Sequence, residues 1–257
     1  MNFTGNPMAV QLYTLRTDAE KDFPGVLRQV AKVGYGAVEF AGLHNNTPEQ
    51  IAAVLKETGL KPCGSHVSYD DLAFNFDKTT HIWLDIIGCE YLVVPSGPRD
   101  FGPNGQAWKV FVEKMHTLTT KCREKKIKLC YHNHNFEFEP SVDGKTAFDV
   151  MFFGPDAATA PLSEMDLYWV AKGGHDPVKE LGRLKGRVPM VHVKDMAATP
   201  DKIYTEVGAG ILPWKKIFDA AHNAGVKWLI VEQDHPTGPA IDSIKTSLEN
   251  LKKLGLA

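Results

Sequence analysis

Carboxylates and imidazoles gather at a few places in this 257-residue chain, and each place directly follows an apolar run. Glu39 sits in Ala37-Val38-Glu39-Phe40, and Ser65-His66 closes the next such stretch. Tyr131-His132-Asn133-His134 comes later, with Glu137 just beyond it. Asp166 stands in Met165-Asp166-Leu167-Tyr168-Trp169, and His192 in Val191-His192-Val193, followed by Lys194-Asp195. Trp228-Leu229-Ile230-Val231 runs into Glu232-Gln233-Asp234-His235. A single His or Glu at a strand end commonly means a hydrogen-bonded structural group. Several that converge on one axis repel one another or stay unsatisfied unless a cation joins them. A divalent metal meets that need, and nitrogen and oxygen ligation suits Mn, Co, Zn, Mg or Fe.

Alternation refines the candidates. In a strand, Val191 and Val193 face one side and His192 the other, which aims His192 at a barrel axis. Glu232 points inward by the same alternation, and a buried carboxylate without a cation is costly. Asp166 joins them as a ligand, a cap or turn role being its alternative. Glu39 reads as a group that hydrogen-bonds substrate or a neighbouring basic side chain.

The elements that must position these residues alternate strictly. Apolar runs at 8–13, 37–40, 62–67, 91–95, 127–132, 167–170, 190–193 and 228–232 read as strands. Between them lie helices with clear punctuation. Asp22 caps one that begins at Phe23-Pro24 and stops before Gly34. Thr47 caps the next, with Pro48 at its first position and Gly59 as its stop. Helices follow at 75–87, 106–125 and 145–153, one opens at Asp176-Pro177, and two more run over 213–224 and 241–254. Eight strand–helix units in about 250 residues predict a single-domain (β/α)₈ TIM barrel over 1–257, with its chemistry at the C-terminal mouth of the strands. An open doubly wound sheet is the alternative, but Leu12-Tyr13-Thr14-Leu15-Arg16 after the first strand carries no glycine-rich phosphate turn.

Composition narrows the partners. With 29 basic and 31 acidic residues the formal net charge is −2, which advertises no polyanion partner. Cys63, Cys89, Cys122 and Cys130 form no C-x-x-C pair and are expected as reduced thiols. No apolar run is long enough to span a bilayer. Residues 1–7 show no signal-peptide pattern, so a cytoplasmic location is expected, with a removed leader left open.

Across nearly its whole length the chain resembles the sugar phosphate isomerase/epimerase group of xylose isomerase-like barrels. The resemblance is carried by Val10-Gln11-Leu12-Tyr13-Thr14-Leu15-Arg16, Gly34-Tyr35-Gly36-Ala37-Val38-Glu39-Phe40, Tyr131-His132-Asn133-His134-Asn135-Phe136-Glu137-Phe138, Asp166-Leu167-Tyr168-Trp169, Val191-His192-Val193-Lys194-Asp195, Val207-Gly208-Ala209-Gly210 and Ile230-Val231-Glu232-Gln233-Asp234. It implies one metal held by Asp166, His192, Glu232 and an acidic fifth-strand residue. Glu137 is assigned to that fourth place, with His132 or His134 as the substitute. Ala209 departs from the Gly-Glu-Gly turn of many relatives, which removes one polar contact near the mouth.

The resemblance further implies isomerisation or epimerisation beside a carbonyl. Such chemistry needs a base at the carbon and an electrophile at the oxygen. Glu137 or Glu232 is expected as one partner of the acid–base pair, and His132, His134 or His66 as the other. Lys194 would meet developing negative charge. Glu39, His66 and Trp169 are expected against the substrate, with Phe40 and Trp214 as further apolar faces or packing residues. The same site would serve elimination from a keto-sugar or keto-inositol. An endonuclease IV-like nuclease and a metal-free sugar-binding barrel are the other classes, and a metal assay separates them. Related barrels often pair, so a homo-oligomer is an expectation too.

Overall fold

The computed structural model describes residues 8–256, so the leader expectation for residues 1–7 falls outside the described part. Eight parallel strands close a barrel: β1 (Ala9–Gln11), β2 (Ala37–Phe40), β3 (Lys61–His66), β4 (Tyr91–Val94), β5 (Leu129–His132), β6 (Leu162–Asp166), β7 (Met190–Val193) and β8 (Trp228–Val231). Each pairs with its sequence neighbours, and β8 closes onto β1. Helices wrap the outside, and one chain-long apolar core lies between them and the strands. Among the described residues no helix is long and apolar enough to cross a membrane.

The lumen is stratified because side chains alternate along every strand. Its lower part is a plug of Ala9, Ala37, Cys63, Tyr91, Cys130, Met190 and Ile230. Two residues further along, the same faces carry Gln11, Glu39, His132, His192 and Glu232. Small residues in the plug leave the space that the polar layer fills. Gly64 matters here, since a Cβ at that position would lie 2.9 Å from Met190 Cε and 3.1 Å from Glu39 Oε1. All four cysteines are buried and unbridged.

Local signals explain most elements. Thr47 and Gln50 form a reciprocal capping box for helix Pro48–Thr58, which ends at Gly59 with φ 73°. Asp22 breaks the helical stretch Arg16–Val33 at a kink (φ −152°, ψ 81°) and accepts from Gly25 N at 2.9 Å, so it caps the segment that begins at Phe23-Pro24, as expected. One expectation needs correction, that residues 167–170 form the sixth strand. They form helix Leu167–Lys172, and the strand is Leu162–Asp166. Asp166 causes the switch, since its Oδ1 accepts from Trp169 N at 2.9 Å and caps the helix. Asp166 therefore ends β6 instead of beginning it, and Glu164 enters the lumen.

Candidate active site

Two layers of ionisable side chains fill the upper barrel. The deeper one centres on Glu39 and Glu164, both fully buried. Glu39 Oε2 accepts from Gln11 Nε2 at 2.7 Å and lies 2.7 Å from His192 Nε2. Glu164 Oε2 lies 2.8 Å from His66 Nε2, 2.9 Å from His132 Nδ1 and 3.3 Å from His192 Nε2. Burial, and then the neighbouring Glu164 charge, pushes the Glu39 pKa up to about 7. Burial alone would lower the His66 and His192 pKa values. Facing carboxylates outweigh it, so both imidazoles titrate above their usual value. His132, equally buried and beside His192, titrates well below it.

The upper layer meets a cavity of about 510 Å³ through Lys194, Glu232 and Asp234. Asp166 and His192 lie fully buried beneath, and with Glu232 each offers one ligand atom, all within 4.8 Å of one another. Glu232 Oε2 lies 2.7 Å from His192 Nδ1. The Lys194 ammonium is buried 2.8 Å from Glu232, 3.0 Å from Asp166 and 2.9 Å from Asp234. Burial would lower its pKa, but these three carboxylates hold it well above the usual lysine value. The same ammonium and His192 hold Glu232 well below the usual carboxylate range against its burial.

This donor set fits a divalent cation. Asp166, Glu232 and Asp234 set three carboxylates against one ammonium. Asp166 Oδ2 is buried without a hydrogen bond among the described residues, because Lys194 Nζ approaches it at contact distance but outside hydrogen-bond geometry. Burial pushes the Asp166 pKa up to about 6, against the Lys194 and His192 charges that pull it down.

The other expected residues lie as follows. His66, His132, His134, Trp169 and Lys194 line the cavity. His134 stacks on Phe136 with its Nδ1 unpartnered among the described residues, and burial followed by the Lys194 and Arg99 charges lowers its pKa to about 3, so it is neutral. Glu39 does not line the cavity. His66, His132, Glu164 and His192 form a second set of possible ligand atoms within 4.8 Å of one another, and Glu137 lies outside both sets: its Oε1 accepts from the Tyr131 hydroxyl at 2.6 Å and its Oε2 from His134 N at 2.9 Å. Burial raises its pKa to about 7. Phe40 packs outward against Phe23 and Trp83, and Trp214 donates to Asp195 Oδ2 at 2.6 Å, so neither faces the cavity. Asp195 ties down a whole loop, accepting also from the backbone of Met196, Gly208, Gly210 and Leu212. A Cβ on Gly210 would collide with its Oδ1.

Sequence reasoning missed Glu164 and Arg99. The acid–apolar–acid alternation of Glu164-Met165-Asp166 was the available signal for the first. Arg99 follows β4 on a stretch with no strand-end pattern, and its guanidinium lies 5.3 Å from the Phe136 ring centroid at the cavity wall.

This closed barrel with a carboxylate–imidazole mouth has known counterparts. The chain belongs to the xylose isomerase-like TIM barrel family, whose model matches residues 27–254. An inosose dehydratase from Geobacillus kaustophilus is 25% identical over 226 residues, covering 76% of this chain and 72% of that protein. A crystal structure of a sugar phosphate isomerase/epimerase from Parabacteroides distasonis superposes with a TM-score of 0.82 at 22% identity, covering 97% of this chain and 98% of the other. A solved IolI protein with a bound zinc atom superposes with a TM-score of 0.76 at 14% identity, over 97% and 98% of the two chains.

Proposed function

We propose that the chain is a divalent-metal-dependent enzyme that removes a proton beside the carbonyl of a sugar or keto-sugar, to isomerise or epimerise it. The observation that carries this reading is the buried Asp166, His192 and Glu232 group, which reaches a sugar-sized cavity through Glu232 and holds more carboxylates than imidazoles. His132 takes the fourth ligand place in preference to Glu137. Its Nε2 stands 3.8 Å from Asp166 Oδ2, whereas both Glu137 oxygens are engaged elsewhere. The alternative group of His66, His132, Glu164 and His192 is a poorer seat for a hard divalent ion, since it sets one carboxylate among three imidazoles.

A divalent ion held there supplies Lewis-acid polarisation of the carbonyl. Glu232, kept ionised by Lys194, takes the α-proton. His66 sits at the mouth end of β3, three strands from Glu232 around the barrel, and carries a proton held by Glu164. It returns that proton to the opposite side of the substrate. Lys194 meets the negative charge on oxygen. The neutral His134 and the Trp169 indole line the cavity and offer ring faces and edges to the substrate.

A second reading is favoured by the inosose dehydratase relative. The same deprotonated intermediate expels a β-hydroxyl, which leaves as water with the His66 proton, so the products are an unsaturated ketone and water. Both readings are tested in D₂O with keto-hexoses and keto-inositols over the metal-loaded protein. Solvent deuterium entering at the α-carbon, with an isomer or a dehydrated product, is the expected NMR result. Absence of exchange with every substrate, in protein shown to hold about one metal per chain, sinks both. Elemental analysis that finds no metal after reconstitution sinks the metal assignment itself.

A further inference from the structure

Glu39 and Glu164 do not touch the cavity, yet they contact two of the proposed ligands. His192 presents Nδ1 to Glu232 and to Asp166, at 2.7 and 4.0 Å, and its Nε2 lies 2.7 Å from Glu39 Oε2. His132 presents Nε2 toward Asp166, and its Nδ1 lies 2.9 Å from Glu164 Oε2. The two rings meet edge to face, 4.6 Å between centroids, so neither can turn independently. A ring nitrogen bonded to a carboxylate carries a hydrogen. His132 bonds a carboxylate at Nδ1, which leaves the lone pair of its neutral tautomer on Nε2, facing Asp166. His192 lies 2.7 Å from a carboxylate at both nitrogens, so a cation bound beside Asp166 and Glu232 would displace the Nδ1 proton while Glu39 keeps the one on Nε2.

A purely structural network would satisfy all of its buried oxygens. Here Glu39 Oε1 and Glu164 Oε1 have no hydrogen-bond partner among the described residues, and each carboxylate meets its imidazoles through the other oxygen, which in Glu39 also accepts from Gln11 Nε2. We infer that Glu39 and Glu164 are positioning residues, Glu39 fixing the tautomer and orientation of His192 and Glu164 those of His132, so that both present a lone pair to the metal site. This rests on the metal assignment proposed above. The arrangement is the carboxylate–imidazole–metal relay, doubled and folded into one buried layer.

The test measures zinc affinity by competition with a chromophoric chelator for the wild type, E39Q and E164Q, beside long-range ¹H–¹⁵N spectra of the imidazoles in the zinc-loaded wild type. The expected result is affinity about 10–100-fold weaker in each variant, with His192 protonated on Nε2 and His132 on Nδ1 in the wild type. Variants that bind zinc within about threefold of the wild type overturn the inference while leaving the metal assignment standing. The opposite tautomers in the wild type overturn it as well, and need no variant to fold. A wild type that binds no zinc overturns the metal assignment and this inference together. A structural role alone would lower the melting temperature and leave zinc affinity and tautomers unmoved.

Discussion

The two layers of the barrel interior differ in how their charges are balanced. In the deeper layer two carboxylates face three imidazoles, and protons shared along short contacts settle the account. In the upper layer Asp166, Glu232 and Asp234 face one buried lysine, and the surplus is negative. The carboxylates of the deeper layer are closed to the cavity, whereas Glu232, Asp234 and Lys194 of the upper one open onto it. The difference teaches that burial of ionisable groups is not by itself a sign of chemistry. An imbalance that faces a cavity is the sign, because only a ligand from outside can correct it.

The comparison breaks most directly at Glu232. Glu232→Gln should abolish stoichiometric metal binding and lower turnover on the accepted keto-sugar by about 10⁴-fold, at the upper end for a general base. Elemental analysis and steady-state kinetics check this, and wild-type metal content in the variant would remove Glu232 from the ligand set. His66→Gln probes the boundary between the layers. It should lower turnover by about 10²-fold while metal content stays near one per chain. Loss of metal in that variant would mean the ion sits in the deeper layer.

Proton linkage sharpens the contrast further. In the metal-free protein the folded pKa of His192 lies well above 6.5. The stability from its pairing is therefore fully present below pH 6.5 and is lost as pH rises through the raised value. Metal needs that same Nδ1 without its proton, so the stabilisation by added metal should grow with pH. Melting temperatures with and without metal, taken from pH 6 to 8.5, should diverge, and a metal-induced shift that does not change with pH would contradict the assignment of His192 as a ligand. The smallest effect is expected at Gly64→Ala. Its methyl would press on Met190 and Glu39, costing about 1–3 kcal/mol in denaturant unfolding. An unchanged midpoint would mean that the plug yields easily.

Much of this was legible in the sequence, for physical reasons that can be named. Thr47-Pro48 and Gly59 delimit a helix by local chemistry alone, and β2 and β7 occupy the residues that their apolar runs delimit. His192 stood out because a polar residue between two valines has one direction to face. The sixth strand was misplaced because Leu167-Tyr168-Trp169-Val170 has strand-like composition, while one capping bond from Asp166 turns it into a helix. That shift hid Glu164. The contacts of Glu39 with His192 and of Glu164 with His66 span 153 and 98 residues. They depend on barrel register and on which ring nitrogen faces which strand, and no local pattern encodes either.

Asp195 has a consequence for how such a protein can change. One carboxylate gathers four backbone amides and an indole, and it is the third residue after His192 and the next after Lys194. Any lengthening of the loop it gathers would pull on the strand that carries both of those side chains. The stretch after β4 is held at one point, Gly97, whose N donates to the Tyr131 hydroxyl at 3.0 Å, while Arg99 lies two residues beyond it on the cavity wall. Laboratory evolution toward a new sugar should therefore accept exchanges at Arg99 and reject insertions between Val207 and Trp214.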